Sequence, residues 1–257
     1  MGLTFLSSVH WAVTSFIEVM VLFLALRHRF FSRLPIFTTY LSLLVINEGV
    51  LLLAYELTGI ASHVSFYVYW VMQAAQIAVR TMVVYEICRI LLSPYAGVWR
   101  LSRPLLIAIA VALVTAAIII SGRSAYALAA TILTAERGLE LTVVSVLIFG
   151  LLFCRYYGIT VRGPLLWIAV GLGCYSAIQV ADNTFLQHWL SYFSLWETLR
   201  RFSFDLALFF WAVAVWKPFP APEPVPALLE SGYYAEIGPR LTTRMRELNS
   251  RLLEMWK

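Results

Sequence analysis

Up to Trp216 the chain alternates long apolar runs with short polar connections, and seven of those runs are long enough to cross a bilayer as helices. The predicted spans are 9–27, 35–57, 65–92, 104–121, 125–154, 164–186 and 190–216. Most carry charged or amide side chains at positions where hydrocarbon is expected. A span tolerates such groups only where they face a bundle interior, a wet cavity or a partner. The pattern therefore predicts an all-α fold, an integral membrane seven-helix bundle with a polar inside. The fourth run is the control: from Leu105 to Ile120 its only polar side chain is Thr115, as expected of a helix largely surrounded by lipid.

Basic residues in the short loops give an orientation. Connections one, three and five hold Arg27, Arg29 and Arg33, then Arg100 and Arg103, then Arg155 and Arg162. The N-terminus and the second connection hold none, and the fourth holds only Arg123. The expected topology is N-terminus out and C-terminus in, for a multi-pass protein of a bacterial inner membrane. No Lys or Arg precedes the first run, so a cleavable signal is not expected. Pro35, Pro94, Pro104 and Pro164 fall at expected helix ends and the other six prolines follow the last span, which predicts that none interrupts a helix.

Three segments follow from this pattern: the helical domain 1–217, a Pro-rich linker 218–230 and a cytoplasmic amphipathic tail 231–257. In the tail Leu241, Met245, Leu248, Leu252 and Met255 step by 4, 3, 4 and 3, one apolar seam, opposite Arg240, Arg244, Glu247 and Arg251. Such a helix is expected to lie on the inner leaflet, to fold against the bundle, or to meet a membrane or cytoplasmic partner through residues 240–257.

The polar residues inside the runs form stripes. Tyr69, Gln73, Gln76 and Arg80 of the third helix fall within about 60° of one another at helical spacing. Arg80 sits too deep to reach either surface easily, so it requires a carboxylate or carbonyl partner. In the seventh helix Ser194, Glu197, Arg201 and Asp205 share a stripe, and their i,i+4 steps favour Glu–Arg–Asp pairing along the helix. Glu136 and Glu140 share a face of the fifth helix with Arg137 beside them, and Trp11, Thr14, Ser15 and Glu18 lie together on the first. The second helix supplies Asn47 and Glu48, and the sixth Tyr175, Gln179, Asp182 and Asn183. Glu86 faces away from Arg80 and is expected to pair with Arg89. Each intramembrane charge costs about 2.5–3.5 kcal/mol on insertion scales. A polar chamber open towards the outside lowers that cost for Gln73, Gln76, Arg80, Glu136, Glu140, Arg201, Asp205, Glu48, Glu18 and Gln179 together, and these are the expected ligand-binding residues.

Composition agrees and narrows the chemistry. The chain is 61% hydrophobic and only 13% charged, with a mean hydropathy of +0.81. Aromatics gather near the run ends (Trp11, Phe66, Tyr67, Tyr69, Trp70, Trp99, Tyr156, Tyr157, Trp189, Tyr192, Trp216), where interfacial belts place them. The net charge of +5 is mostly loop arginine and reads as topology, not as affinity for nucleic acid. Cys88, Cys154 and Cys174 lie within apolar runs without CxxC spacing, which suggests neither a disulfide nor a zinc site. The only lysines, Lys217 and Lys257, are at or beyond the end of the last span, so no Schiff-base chromophore of the microbial-rhodopsin kind can form. His10, His63 and His188 are at outer helix ends and His28 at an inner one, which leaves no facing pair of haem ligands. No metal, cofactor or catalytic residue is expected, and the chain does not read as an enzyme.

The stretch 65–95, SFYVYWVMQAAQIAVRTMVVYEICRILLSPY, resembles a pattern of uncharacterised bacterial seven-transmembrane-helix proteins. There an aromatic FYxYW start of helix 3 is followed by a VxYEI exit and a Pro-Tyr. In plan the bundle is also similar to the seven-helix sensor modules of bacterial signalling proteins. It departs from them by having no kinase, cyclase or phosphatase domain after the linker, so the resemblance implies signalling through a partner. The expectation is a sensor- or receptor-like membrane protein that binds a small polar or ionic ligand in the lipid bilayer. The alternatives are a proton-coupled transporter using Glu48, Glu140 and Asp205, and an accessory or structural subunit of a membrane complex.

Overall fold

A computed structural model describes residues 5–59, 62–93, 95–121, 127–156, 159, 161, 163–185, 193–216, 246–248, 250, 251, 254 and 255. Among them are seven α-helices and one 3-10 turn, with no strand. They are α1 (Phe5–Arg27), the turn Phe30–Ser32, α2 (Pro35–Thr58), α3 (His63–Leu92), α4 (Ala96–Ser121), α5 (Ala127–Tyr156), α6 (Gly163–Phe185) and α7 (Phe193–Val215). Tyr157, His188, Trp189, Tyr192, the linker 218–230 and the seam residues Leu241, Met245 and Leu252 lie outside the described residues, as do the side chains of Asn183, Ser194 and Glu197.

Local signals set the helix ends. Pro35 occupies the first turn of α2, where its missing N–H costs nothing. Gly59 ends α2 at φ 81°, a conformation that favours glycine. Ser62 caps α3 by accepting from the Ser65 N–H at 3.0 Å. Pro104 corrects the expectation that no proline interrupts a helix, because α4 begins at Ala96 and carries Pro104 inside. A membrane helix tolerates this where neighbouring groups satisfy the freed backbone.

Five of these helices are long and apolar enough to cross a membrane: Val9–Arg27, Pro35–Thr58, Gly97–Ser121, Leu128–Tyr156 and Gly163–Asp182. The other two are α3, with Arg80, Glu86 and Arg89 among many amide, hydroxyl and aromatic side chains, and α7, with Glu197, Arg200, Arg201 and Asp205. The exterior is also apolar, while charged side chains lie inside. Ile119 and Phe149 are 72% and 70% exposed while Arg80 is 2% exposed. That inversion fits a multi-pass membrane protein, for which lipid covers the exposed side chains.

The helices form a closed ring. Contacts run from α1 to α2, α2 to α3, α3 to α5, α5 to α6, α6 to α7 and back from α7 to α1, with α4 outside the ring against α5 and, less closely, α3. The main apolar core fills the half of the ring where α1 and α3 end and α2 begins. It includes Val21, Phe30, Phe37, Leu41, Val83, Ile87, Ile168, Leu172, Leu208 and Trp211. Trp211 is fully buried, edge-on to Phe37, Tyr40 and Phe204. Gly171 makes room for it: a Cβ there would stand 2.6 Å from the indole Nε1 and 3.2 Å from the Ala207 carbonyl oxygen.

Two side chains tie this half together by holding helix ends. Glu86 accepts from the Ile36 N–H at 3.0 Å and the Phe37 N–H at 2.9 Å, so a carboxylate on α3 caps the start of α2. Its hydrogen-bonding partners are thus backbone amides of another helix, and Arg89 also acts on it electrostatically. His28 Nδ1 donates to the Val215 carbonyl at the end of α7 at 2.7 Å. Near the same end Leu248 packs on a small cluster around Val98, with Leu92, Tyr95, Phe153 and Ile159.

Gly171→Ala is expected to cost about 1–3 kcal/mol, because the indole and the α7 backbone leave no space for the methyl group. Glu86→Ala is expected to cost about 1–2 kcal/mol through two uncapped amides. Reversible unfolding in mixed micelles measures both, and wild-type stability in either variant would refute the corresponding contact.

Candidate functional site

Arg80 is the centre of the polar interior. Its guanidinium pairs through Nη1 with Glu140 of α5, and both side chains are 2% exposed. Arg80 Nε donates to the Tyr40 hydroxyl at 3.2 Å, and Cζ lies 4.6 Å from the Tyr175 ring centroid and 5.9 Å from that of Tyr40. One cation on α3 therefore engages α5 by charge, α2 by a hydrogen bond and α6 by a cation–π contact. Gln179 Nε2 donates to the Tyr175 hydroxyl at 2.6 Å, which orients the ring.

A second carboxylate stands one turn away. Glu136 is buried and accepts from Gln73 Nε2 at 2.8 Å. Gln76, on the same stripe of α3, is buried beside them in sequence. Arg80 and Arg200 both act electrostatically on Glu136, and Arg200 also acts on Tyr69 and Asp182. One oxygen of Glu140, Oε2, is buried with no hydrogen-bond partner, as are Asp182 Oδ1 and Ser176 Oγ. Buried acceptors of this kind require water, a proton or a ligand to satisfy them.

The expected residues thus separate into groups. Gln73, Arg80, Glu136, Glu140 and Gln179 come together, directly or through Tyr175, and Gln76 lies on the same stripe. Asp205 belongs elsewhere: His10 Nε2 donates to its Oδ2 at 2.9 Å and Thr14 Oγ1 to its Oδ1 at 3.1 Å, an α1–α7 clasp. Its described partners are these two, in place of the i,i+4 pairing with Arg201 that the spacing favoured. Arg201 is exposed, and Arg200 beside it is the residue in electrostatic reach of Glu136. Glu48 accepts from the Trp11 indole N–H, and Glu18 is buried and lines a small, largely apolar groove between α1 and α2 with them. A cavity of about 750 Å³ lies between α3, α4 and α5, lined by apolar side chains such as Ile77, Leu106, Val114, Ile132 and Leu139 and by none of the expected residues. Tyr40 and Arg200 were not singled out from the sequence. A tyrosine inside an apolar run reads as packing until a buried cation is placed beside its hydroxyl.

Arg80→Met is expected to cost about 3–5 kcal/mol, since it leaves Glu140 and Glu136 buried without their cation. The double variant Arg80→Met/Glu140→Leu is expected to be less destabilised than the sum of the singles, with a coupling of about 0.5–3 kcal/mol. Unfolding of the four proteins in one micelle system measures it, and strictly additive losses would show that the two side chains do not act as a pair.

No protein-family model matches the chain, and neither a curated protein nor a solved structure does.

Proposed function

We propose that the chain is a non-enzymatic, sensor- or receptor-like protein of a bacterial inner membrane. In this reading all seven α-helices span the bilayer, with the N-terminus outside and the C-terminus in the cytoplasm. A small polar or ionic ligand enters between α3, α5 and α6 and competes for the Arg80–Glu140 pair, with Gln73, Gln76, Glu136 and Gln179 as further contacts. The observation that carries the reading is the pair itself. Arg80 is its cation, Glu136 offers a second carboxylate one turn from Glu140 in electrostatic reach of Arg80 and Arg200, and Glu140 keeps one oxygen unpartnered. Two carboxylates within reach of one buried guanidinium offer alternative pairings, which a ligand can shift only through its differential affinity for them.

The output would run along α3. Its Leu92, with Tyr95 just beyond, packs in the cluster that holds Leu248, so a shift of α3 alters the surface on which Leu248 rests. A membrane or cytoplasmic partner would read that segment, residues 240–257. The surplus of buried carboxylates, Glu18, Glu136 and Asp182 beside the paired Glu140, favours a second reading, a proton-coupled transporter.

One experiment separates the two. The purified protein in lipid vesicles is screened by thermal unfolding against small carboxylates, amino acids and amines, and by a pH-sensitive dye for proton flux. The sensor reading expects a stabilising compound, worth about 2.7 kcal/mol at 100 times its Kd. That stabilisation should be lost in Arg80→Ala protein that still inserts, and no flux should occur. Compound-dependent proton flux would establish the transporter. An unchanged response in Arg80→Ala would place the ligand site away from this pair.

A further inference from the structure

The cavity of about 750 Å³ between α3, α4 and α5 is a groove in the apolar exterior. Its floor is buried, with Ile77 on α3 and Ile132 and Leu139 on α5, while Met82, Ile107 and Val111 at its rim are exposed. The lining runs from Ala74 to Tyr85 on α3, from Leu106 to Ile118 on α4 and from Thr131 to Val146 on α5. At about 1.5 Å per residue those walls are about 17–22 Å long. No charged or amide side chain lines the groove. Two of its hydroxyls are already engaged by backbone: Thr81 donates to the Ile77 carbonyl and Thr142 to the Gly138 carbonyl, each at 2.9 Å. The groove exists because α4 stands outside the ring, and Ala74, Ala78, Ala110 and Ala135 are too short to close the gap.

The two ends of the groove differ. At one end the Tyr85 ring meets Trp99 of α4 with 5.3 Å between centroids, and such aromatics mark the headgroup level of a bilayer. Arg89 follows Tyr85 by one turn on α3, Arg103 precedes Leu106 by one turn on α4, and both are exposed. At the other end no Lys or Arg lies within a turn of Ala74, Ile118 or Thr131.

An apolar groove of this size neither stays empty nor fills with ordered water. Water needs two or more polar partners, which these walls lack, and apolar cavities of only about 150 Å³ already take up small apolar molecules. The lipid that covers the exposed side chains reaches the rim directly. The walls extend over more than half of a hydrocarbon core about 30 Å thick, so an extended chain fills them where a compact ligand would not. The arginines at one end select the head of that chain, since they attract an anionic phosphate and have no such hold on a neutral isoprenoid. We propose that this groove holds one acyl chain of an anionic phospholipid, with the phosphate at Arg89 and Arg103 and the chain running along α3, α4 and α5.

The test uses the full chain, purified and delipidated in detergent, with thermal unfolding followed as long-chain phosphatidylglycerol is added. Saturable stabilisation supports the site if phosphatidylcholine of the same chains is weaker and short-chain phosphatidylglycerol gives none. Arg89→Gln and Arg103→Gln, both at exposed positions, should each raise the half-saturating concentration by about fivefold. Ala110→Phe fills the groove and should abolish the response. Because a filled groove can itself disturb folding, a phosphatidylglycerol with a photoreactive group in its chain gives an independent reading on the unaltered protein. Its adducts should concentrate on residues 74–85, 106–118 and 131–146. Adducts spread evenly over exposed apolar side chains such as Phe16 and Phe209 overturn the proposal, because the groove then meets bulk lipid only. Equal stabilisation by phosphatidylglycerol and phosphatidylcholine also overturns it, as does a response unchanged in both arginine variants or one given by a neutral isoprenoid alone. A dimer in detergent that Ala110→Phe disrupts assigns the groove to a second copy of the chain and overturns it as well.

Discussion

A guanidinium buried in an apolar interior constrains this fold more than any other single group. Arg80 cannot reach a surface, so its five N–H donors and its charge must be met where it stands. Glu140 meets the charge, Tyr40 takes the Nε donor and Tyr175 offers a ring face. These partners come from α5, α2 and α6, and that choice determines which helices surround α3. The helix that has nothing to offer, α4, is outside the ring. Strength is not the reason the pair matters, since interhelical hydrogen bonds in membranes are worth only about 0.6 kcal/mol on average. Its role is selective. A register that carried both Glu140 and Glu136 away from Arg80 would leave buried charges apart, and the penalty for that far exceeds the gain from the pair.

Around this centre the bundle divides its work between two halves. One half is dry and closely fitted, with Trp211 set over Gly171 and ringed by Phe37, Tyr40 and Phe204. Its helix ends are held by side chains from elsewhere in the bundle, Glu86 at the start of α2 and His28 at the end of α7. The other half holds the amides and carboxylates. Tyr40 belongs to both, with its ring against Trp211 and its hydroxyl on Arg80. Repacking of the dry half is therefore felt at the ion pair through Tyr40, and also through Tyr175, whose ring packs on Phe204.

Much of this was legible in the residue pattern, and the failures have a common cause. The apolar runs coincide to within a few residues with the α-helices among the described residues, five of them long and apolar enough to cross a membrane, except that α4 starts several residues earlier, at Ala96, with Pro104 within it. The depth of Arg80 required a carboxylate or carbonyl partner, and Glu140 is that partner. Helical periodicity gives the azimuth of a side chain on its own helix but not the rotation of one helix against the next. The i,i+4 spacing of Arg201 and Asp205 suggested pairing along α7, yet His10 and Thr14 approach from α1 and take the carboxylate. The amides that Glu86 caps belong to backbone, which leaves no trace in side-chain identity. Residues at one depth merged into one expected chamber for the same reason, whereas their described contacts form separate groups.

That separation bears on how the molecule can respond to anything. α1 carries two of the groups on neighbouring turns: the contact of His10 and Thr14 with Asp205 faces α7, while Trp11 and Glu18 face Glu48 on α2. It is the element that closes the ring on both sides, and it does so through polar contacts near one end and apolar ones such as Val21 and Ala25 near the other. α3 is arranged differently, with Gln73 and Arg80 in the polar half and Val83, Ile87 and Leu92 running into the dry half. A change in charge at the α1 groups is thus positioned to loosen the ring at its closure, and a change at Arg80 to shift the helix that reaches Leu248. Two polar groups on different helices with different apolar attachments give two degrees of freedom, where one shared chamber would give one. Coupling between them has two routes, through α2, which holds Glu48 on one face and Tyr40 on another, and through α7 and α6, where Phe204 packs on the Tyr175 ring that Arg80 faces.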